Sequence, residues 1–136
     1  RLIPPNRTFD AEFTLDLGDL WLVLHHLPGH TRDCCVGFIP ERGLLLMGDT
    51  VETPFPVVND GSALEGWINR LEEWADDDRV RTVIPAHGPI GGREIIRRNI
   101  GYLKALWSGQ EPEVPAGLTA FYRETHERNR RLATTR

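Results

Sequence analysis

The sequence predicts a mixed α/β fold of the α+β kind, with antiparallel strands first and helices packed on them afterwards. Three observations carry this. Residues 9–17 alternate, with Phe9, Ala11, Phe13, Leu15 and Leu17 against Asp10, Glu12, Thr14 and Asp16, the pattern of a half-buried strand. Apolar runs at residues 20–27, 34–39 and 44–47 follow, separated by turn residues. After that the period becomes helical: Leu64, Trp67, Ile68, Leu71 and Trp74, then Ile95, Ile96, Ile100, Leu103 and Leu106.

Gly18-Asp19 makes the first turn, and residues 20–27 are apolar on both sides, which predicts a strand covered on both faces. Pro40-Glu41-Arg42-Gly43 reads as a hairpin turn between the next two strands. Residues 53–61 are a loop rich in Pro, Asn and Gly. Ser62-Ala63-Leu64-Glu65 matches a capping box that starts the first helix. Asp76-Asp77-Asp78 ends that helix as a solvated turn, residues 81–84 form a short buried strand, and Gly91-Gly92 precede the second helix. A Pro-rich linker at residues 110–115 leads to a last helix from Leu118 to about Asn129. The division expected is residues 1–110 as the main unit and 111–136 as a C-terminal helical extension.

The chain has 136 residues, enough for one domain, and a net charge of -4 excludes a broad basic face for nucleic acid. The locally basic tail from residue 123 onward reads as a solvated helix end. Adjacent Cys34 and Cys35 do not bridge each other without strain, so they are expected to be reduced strand residues in a cytoplasmic protein. No apolar run reaches the roughly 18 residues of a membrane span. The chain opens on Arg1, which leaves room for sequence upstream.

Chemistry concentrates in three places: Pro28-Gly29-His30-Thr31, Gly48-Asp49-Thr50 and Pro85-Ala86-His87-Gly88. Each lies just past a predicted strand, flanked by Gly or Pro. Taken singly, each residue reads as a cap or turn former. Together they place His, Asp and His, which are zinc ligands, on loops that collect at one sheet edge.

With these three motifs in order, the chain resembles the metallo-β-lactamase superfamily of metallo-hydrolases, from about Asp10 to Leu106. The resemblance implies the C-terminal half of a four-layer αββα sandwich. It implies His30, Asp49 and His87 as metal ligands, His30 on one metal and His87 on the other, with Asp49 bridging both as the catalytic residue. Two zinc ions per full site are implied, with iron or manganese as alternatives, and the nucleophile would be the hydroxide between them. Thr31 and His26 would support the ligands from behind, although His26 reads equally as a buried strand histidine. His25 points the other way along its strand, and His126 sits on a polar helix. The family's His-x-His-x-Asp-His motif has no counterpart here, since His25 and His26 are the only histidines before His30.

The implied activity is a zinc-dependent hydrolase acting on a small thioester or ester, in the manner of glyoxalase II or a general metallo-hydrolase. Asp49 makes a true β-lactamase the weaker reading. This segment by itself is expected to bind zinc weakly and to be inactive. Phe55 and Val57 either wall the substrate cleft or pack as core. Tyr102 and Lys104 read as helix surface. The expected partner is the N-terminal half of the same domain or a second copy, with no nucleic acid and no membrane. The alternative is a non-catalytic half-domain that serves as a binding or assembly module.

Overall fold

A computed structural model of the chain describes residues 2–134. Five strands form one sheet in sequence order: β1 (Glu12–Asp16), β2 (Trp21–His26), β3 (Cys35–Ile39), β4 (Leu44–Glu52) and β5 (Thr82–His87). The first three pairings are antiparallel, as short connections require, and β4–β5 is parallel. The crossover between β4 and β5 is helix α1 (Leu64–Asp76); α2 (Glu94–Ser108) and α3 (Ala120–Ala133) follow. No helix among the described residues is long and apolar enough to cross a membrane.

The strand boundaries depart from the sequence pattern in one instructive way. β4 runs on from Met47 to Glu52, through register shifts on either side of Gly48. The apolar run is broken there, but the ladder with β5 continues, so the strand carries Asp49 to a half-exposed position and buries Thr50, Val51 and Glu52 after it. The capping box is not formed. Asp60 accepts from the Ser62 amide at 2.9 Å and from its hydroxyl at 2.6 Å, capping a short 3-10 turn ahead of α1. The Asp60 carboxylate, two residues upstream, takes the Ser62 amide that the Glu65 carboxylate would accept in a capping box.

The sheet has two unlike faces. Thr14, Val23, Phe38, Leu45 and Val83 lie opposite one another across the five strands, and Phe38, Leu45 and Val83 are buried. Helices cover this side: Trp74 of α1 packs on Phe38 at 5.5 Å and edge-on to His25 at 5.0 Å. Trp67, Leu71, Ile96 and Leu103 are wholly buried, each stabilising by about 1.5–3 kcal/mol. The adjacent row reads Phe13, Leu24, Gly37, Leu46 and Ile84. Its four side chains stay half-exposed, with Leu15 and Leu22 beside them. Residues 21–26 are therefore not covered on both faces as the sequence suggested: Trp21 is exposed and residues 22–26 are half-buried on either side.

α3 buries Thr125, His126, Asn129 and Ala133, a mostly polar face. His126 is not on a solvated surface. It is buried, with Tyr102 Oη 3.0 Å from Nδ1 and Glu111 Oε1 3.1 Å from Nε2. Tyr102, expected on a helix surface, is also buried and stacks on Phe55. Cys34 and Cys35 are free thiols.

Candidate functional site

The turn after β2 is built to carry His30. Gly29 lies on the indole of Trp67, where a Cβ would come within 2.4 Å of the ring, so only glycine allows that approach. His26 Nε2 donates to the Arg32 carbonyl at 2.8 Å, holding the far end of the turn. Thr31 donates to Asp33 at 2.8 Å and its hydroxyl lies 3.1 Å from the Cys34 sulfur. Both residues shape the turn, and neither lines the cavity that His30 shares with Asp49 and His87.

The ring of His30 has a defined tautomer. Its Nδ1 lies 3.0 Å from the Val57 carbonyl, which only accepts, so the hydrogen sits on Nδ1 and Nε2 is the accepting nitrogen, met at 3.5 Å by the Asn59 amide. Asn59 Nδ2 donates to the His30 carbonyl at 2.9 Å and stands 3.5 Å from Nε2.

Asp49 follows the irregularity at Gly48, where the ladder slips and the strand re-aims its side chains. The buried Thr50 hydroxyl donates to the Met47 carbonyl at 2.6 Å and fastens the bend. His87 ends β5. Gly88 after it has φ +115°, and a Cβ there would meet the Thr53 side chain at 2.6 Å, so the chain can leave the strand only through glycine. The Thr53 amide donates to the His87 carbonyl at 3.0 Å. As a result His87 Nε2 faces Asp49 Oδ1 at 3.5 Å, with both side chains open to solvent.

His30, Asp49 and His87 line one cavity of about 470 Å³, together with Glu52, Val57, Phe121 and Tyr122. Of the two residues expected to wall a cleft, Val57 does so. Phe55 does not: it is 1% exposed, stacked on Tyr102 at 4.4 Å and edge-on to Tyr122 at 5.4 Å, because the loop folds its aromatic ring into the core.

Glu52, Phe121 and Tyr122 were not singled out from sequence. Glu52 is buried, and burial pushes its carboxyl above the usual range, against the Tyr122 hydroxyl that donates to it at 3.2 Å. The Tyr122 phenol is pushed up to about 12, first by burial and then by Glu52. The available signal was spacing: Glu52 lies three residues beyond Asp49, close enough to share its end of the strand.

The donor set suits a transition-metal ion: an imidazole nitrogen and a carboxylate oxygen face each other, and a second imidazole with a fixed tautomer lines the same cavity. Among the described residues no three His, Cys, Asp or Glu side chains come together tightly enough to hold one ion. These residue types would suit a metal ion, and the three on this cavity do not by themselves complete a site for one.

Residues 1–94 match the family model described as the metallo-beta-lactamase superfamily. Over 108 residues the chain is 30% identical to the acyl-coenzyme A thioesterase MBLAC2 of Gallus gallus, a match that covers 71% of this chain and 36% of that protein. The chain thus spans little more than a third of the length of this curated relative. An archaeal metallo-beta-lactamase superfamily protein from Sulfolobus tokodaii superposes with a TM-score of 0.65 over 93% of this chain and 50% of its own, at 20% identity, a likeness of fold. The metallo-beta-lactamase FIM-1 from Pseudomonas aeruginosa, in its mono-zinc form, is 27% identical, with a TM-score of 0.56 over 72% of this chain and 45% of its own.

Proposed function

The chain belongs to the metallo-beta-lactamase superfamily, and from that membership we propose that it is the C-terminal part of a metal-dependent hydrolase of thioesters or esters. The observation that carries the reading is the meeting of His30, Asp49 and His87 on one cavity. The likeness to an acyl-coenzyme A thioesterase favours a thioester as substrate.

His30 would hold one ion through Nε2. His87 would hold a second, and Asp49 would reach both. When bound, a zinc ion lowers the pKa of a water toward neutrality and polarises the scissile carbonyl. The chain's own residues do the positioning. The Val57 carbonyl keeps the His30 hydrogen on Nδ1, the bend at Gly48 presents Asp49, and Val57 with Phe121 gives one wall an apolar lining.

The missing ligands would come with the polypeptide that covers the half-exposed row Phe13, Leu24, Leu46 and Ile84. Two sheets packed face to face bury their inner faces against each other, and the half-exposed apolar side chains of this row support such a covering. We take the occupant to be the N-terminal half of the sandwich.

The test is a zinc titration of the chain followed by the imidazole resonances of its histidines. Both His30 and His87 should shift at millimolar or weaker affinity, and Asp49→Ala should weaken the shift of both. Resonances of His30 and His87 that stay fixed throughout would overturn the assignment. Hydrolysis of acyl-coenzyme A is expected only once the covering half is supplied.

A further inference from the structure

The last helix reaches back to the loop that sets His30. The Asn129 side chain is fully buried, and its amide makes three hydrogen bonds. The Val58 amide donates to Oδ1 at 2.9 Å, while Nδ2 donates to the Pro56 carbonyl at 2.8 Å and to the Tyr102 oxygen at 3.2 Å. The amide's orientation is forced, because a backbone N–H only donates and a carbonyl only accepts. Two of the three bonds bracket Val57, whose carbonyl takes the Nδ1 hydrogen of His30. The preceding residue extends the grip: Arg128 donates to Asn59 Oδ1 at 3.0 Å, and Asn59 Nδ2 donates to the His30 carbonyl at 2.9 Å.

We propose that Asn129, with Arg128, is a positioning residue for His30. α3 clamps residues 56–59, and the clamped Val57 carbonyl selects the His30 tautomer whose Nε2 is the accepting nitrogen, turned toward the Asn59 amide. The inference rests on His30 being a metal ligand, but its physical content does not require the metal.

A core filler would serve stability at position 129 equally well, since a buried amide costs free energy unless every group is paired. Here the acceptor and one donor are spent on one loop, at the two positions either side of the residue that touches His30. The third bond anchors the clamp from behind. With Nδ2 donating to the Tyr102 oxygen, the Tyr102 hydroxyl donates to His126 Nδ1, and His126 Nε2 then donates to Glu111. That chain runs from the residue 110–115 linker to the loop, so the whole C-terminal segment bears on one imidazole.

The experiment is nitrogen-15 NMR of the histidine rings in the full chain, without metal, at about pH 8.5, where an ordinary imidazole is neutral. Asn129→Asp keeps the size but turns acceptors toward the Pro56 carbonyl. The Nδ1–H to Nε2–H ratio of His30 should fall roughly fivefold, the effect of losing one hydrogen bond's support, while the His87 ring is unmoved. Tyr102→Phe is the comparison: it removes a partner of the same amide and lowers stability, but leaves both loop bonds, so the His30 ratio should hold. Should Asn129→Asp fail to fold, Arg128→Ala decides, with an expected change of roughly twofold in the same direction. A His30 ratio unchanged in the folded variant, or moved as far by Tyr102→Phe, overturns the proposal. Zinc that ignored His30 would instead refute its assignment as a ligand and leave the tautomer result standing.

Discussion

Replacing Asn99 by leucine is expected to remove a large share of the stability around Glu52. Asn99 is fully buried on α2, and its amide closes the end of β4. Oδ1 accepts from the Glu52 amide at 3.0 Å, and Nδ2 donates to the Glu52 carbonyl at 2.9 Å and the Ile95 carbonyl at 2.9 Å. Leucine fills the same volume but offers no partner. The Ile95 carbonyl keeps its place in the helix, so the damage falls on the two backbone groups of Glu52. A buried polar group left without its partner costs about 1–3 kcal/mol, and the added apolar burial returns about 1 kcal/mol. For the two groups together the net loss is therefore about 1–5 kcal/mol. With a urea slope of about 2 kcal/mol/M, the midpoint should fall by about 0.5–2.5 M. Fluorescence of the buried Trp67 and Trp74 reports the transition. A midpoint that moves by less than about 0.3 M at unchanged slope would refute the reasoning, because it would mean that water or a shifted strand satisfies Glu52 without cost.

Burial holds the Glu52 carboxyl above its ordinary pKa, so the folded chain gains stability from it below about pH 4.5 and loses that gain as pH rises through the folded value. Glu52→Gln should therefore match the parent in acid and exceed it progressively above that window, as read by urea midpoints at several pH values. Gly29→Ala should cost about 1–3 kcal/mol through its clash with the Trp67 ring, and a melting curve superposable on the parent's would count against the placement of the His30 turn. Leu24→Glu with Leu46→Glu should leave the fold intact and abolish association with a covering half, measured by sedimentation; unchanged association would move the interface elsewhere.

The three ligand candidates were legible because each is marked by a glycine whose backbone job is visible in the sequence. Gly29, Gly48 and Gly88 flank His30, Asp49 and His87, and all three stand where an apolar run gives out. The sheet face toward the helices was legible for the same reason that periodicity works at all: Phe38, Leu45 and Val83 are large and apolar. What stayed hidden was polar and buried. Thr125, His126 and Asn129 recur at helical spacing, but a helix whose inner face is polar carries no apolar stripe. Its partners, Tyr102 and the Pro56–Val58 backbone, lie far off in sequence, so no local pattern could announce them. Glu52 was hidden by the opposite bias, since a carboxylate after an apolar run is ordinarily a surface residue.

The parallel pairing of β4 with β5 has a consequence for the order in which the chain assembles. β1 to β4 meet through nearby connections, whereas His87 reaches Asp49 only after α1 has docked and the long crossover has closed. The entropy of that closure must be spent before the distant pair returns anything. The two residues that face each other across the cavity are thus among the last to meet. An ion held between them would stabilise a late-forming contact, and contacts absent from the folding barrier slow unfolding without hastening folding. Bound metal would then act as a latch on a finished molecule. Stopped-flow measurements with and without zinc should show it in the unfolding arm alone, and a zinc-dependent folding rate would place the crossover early instead.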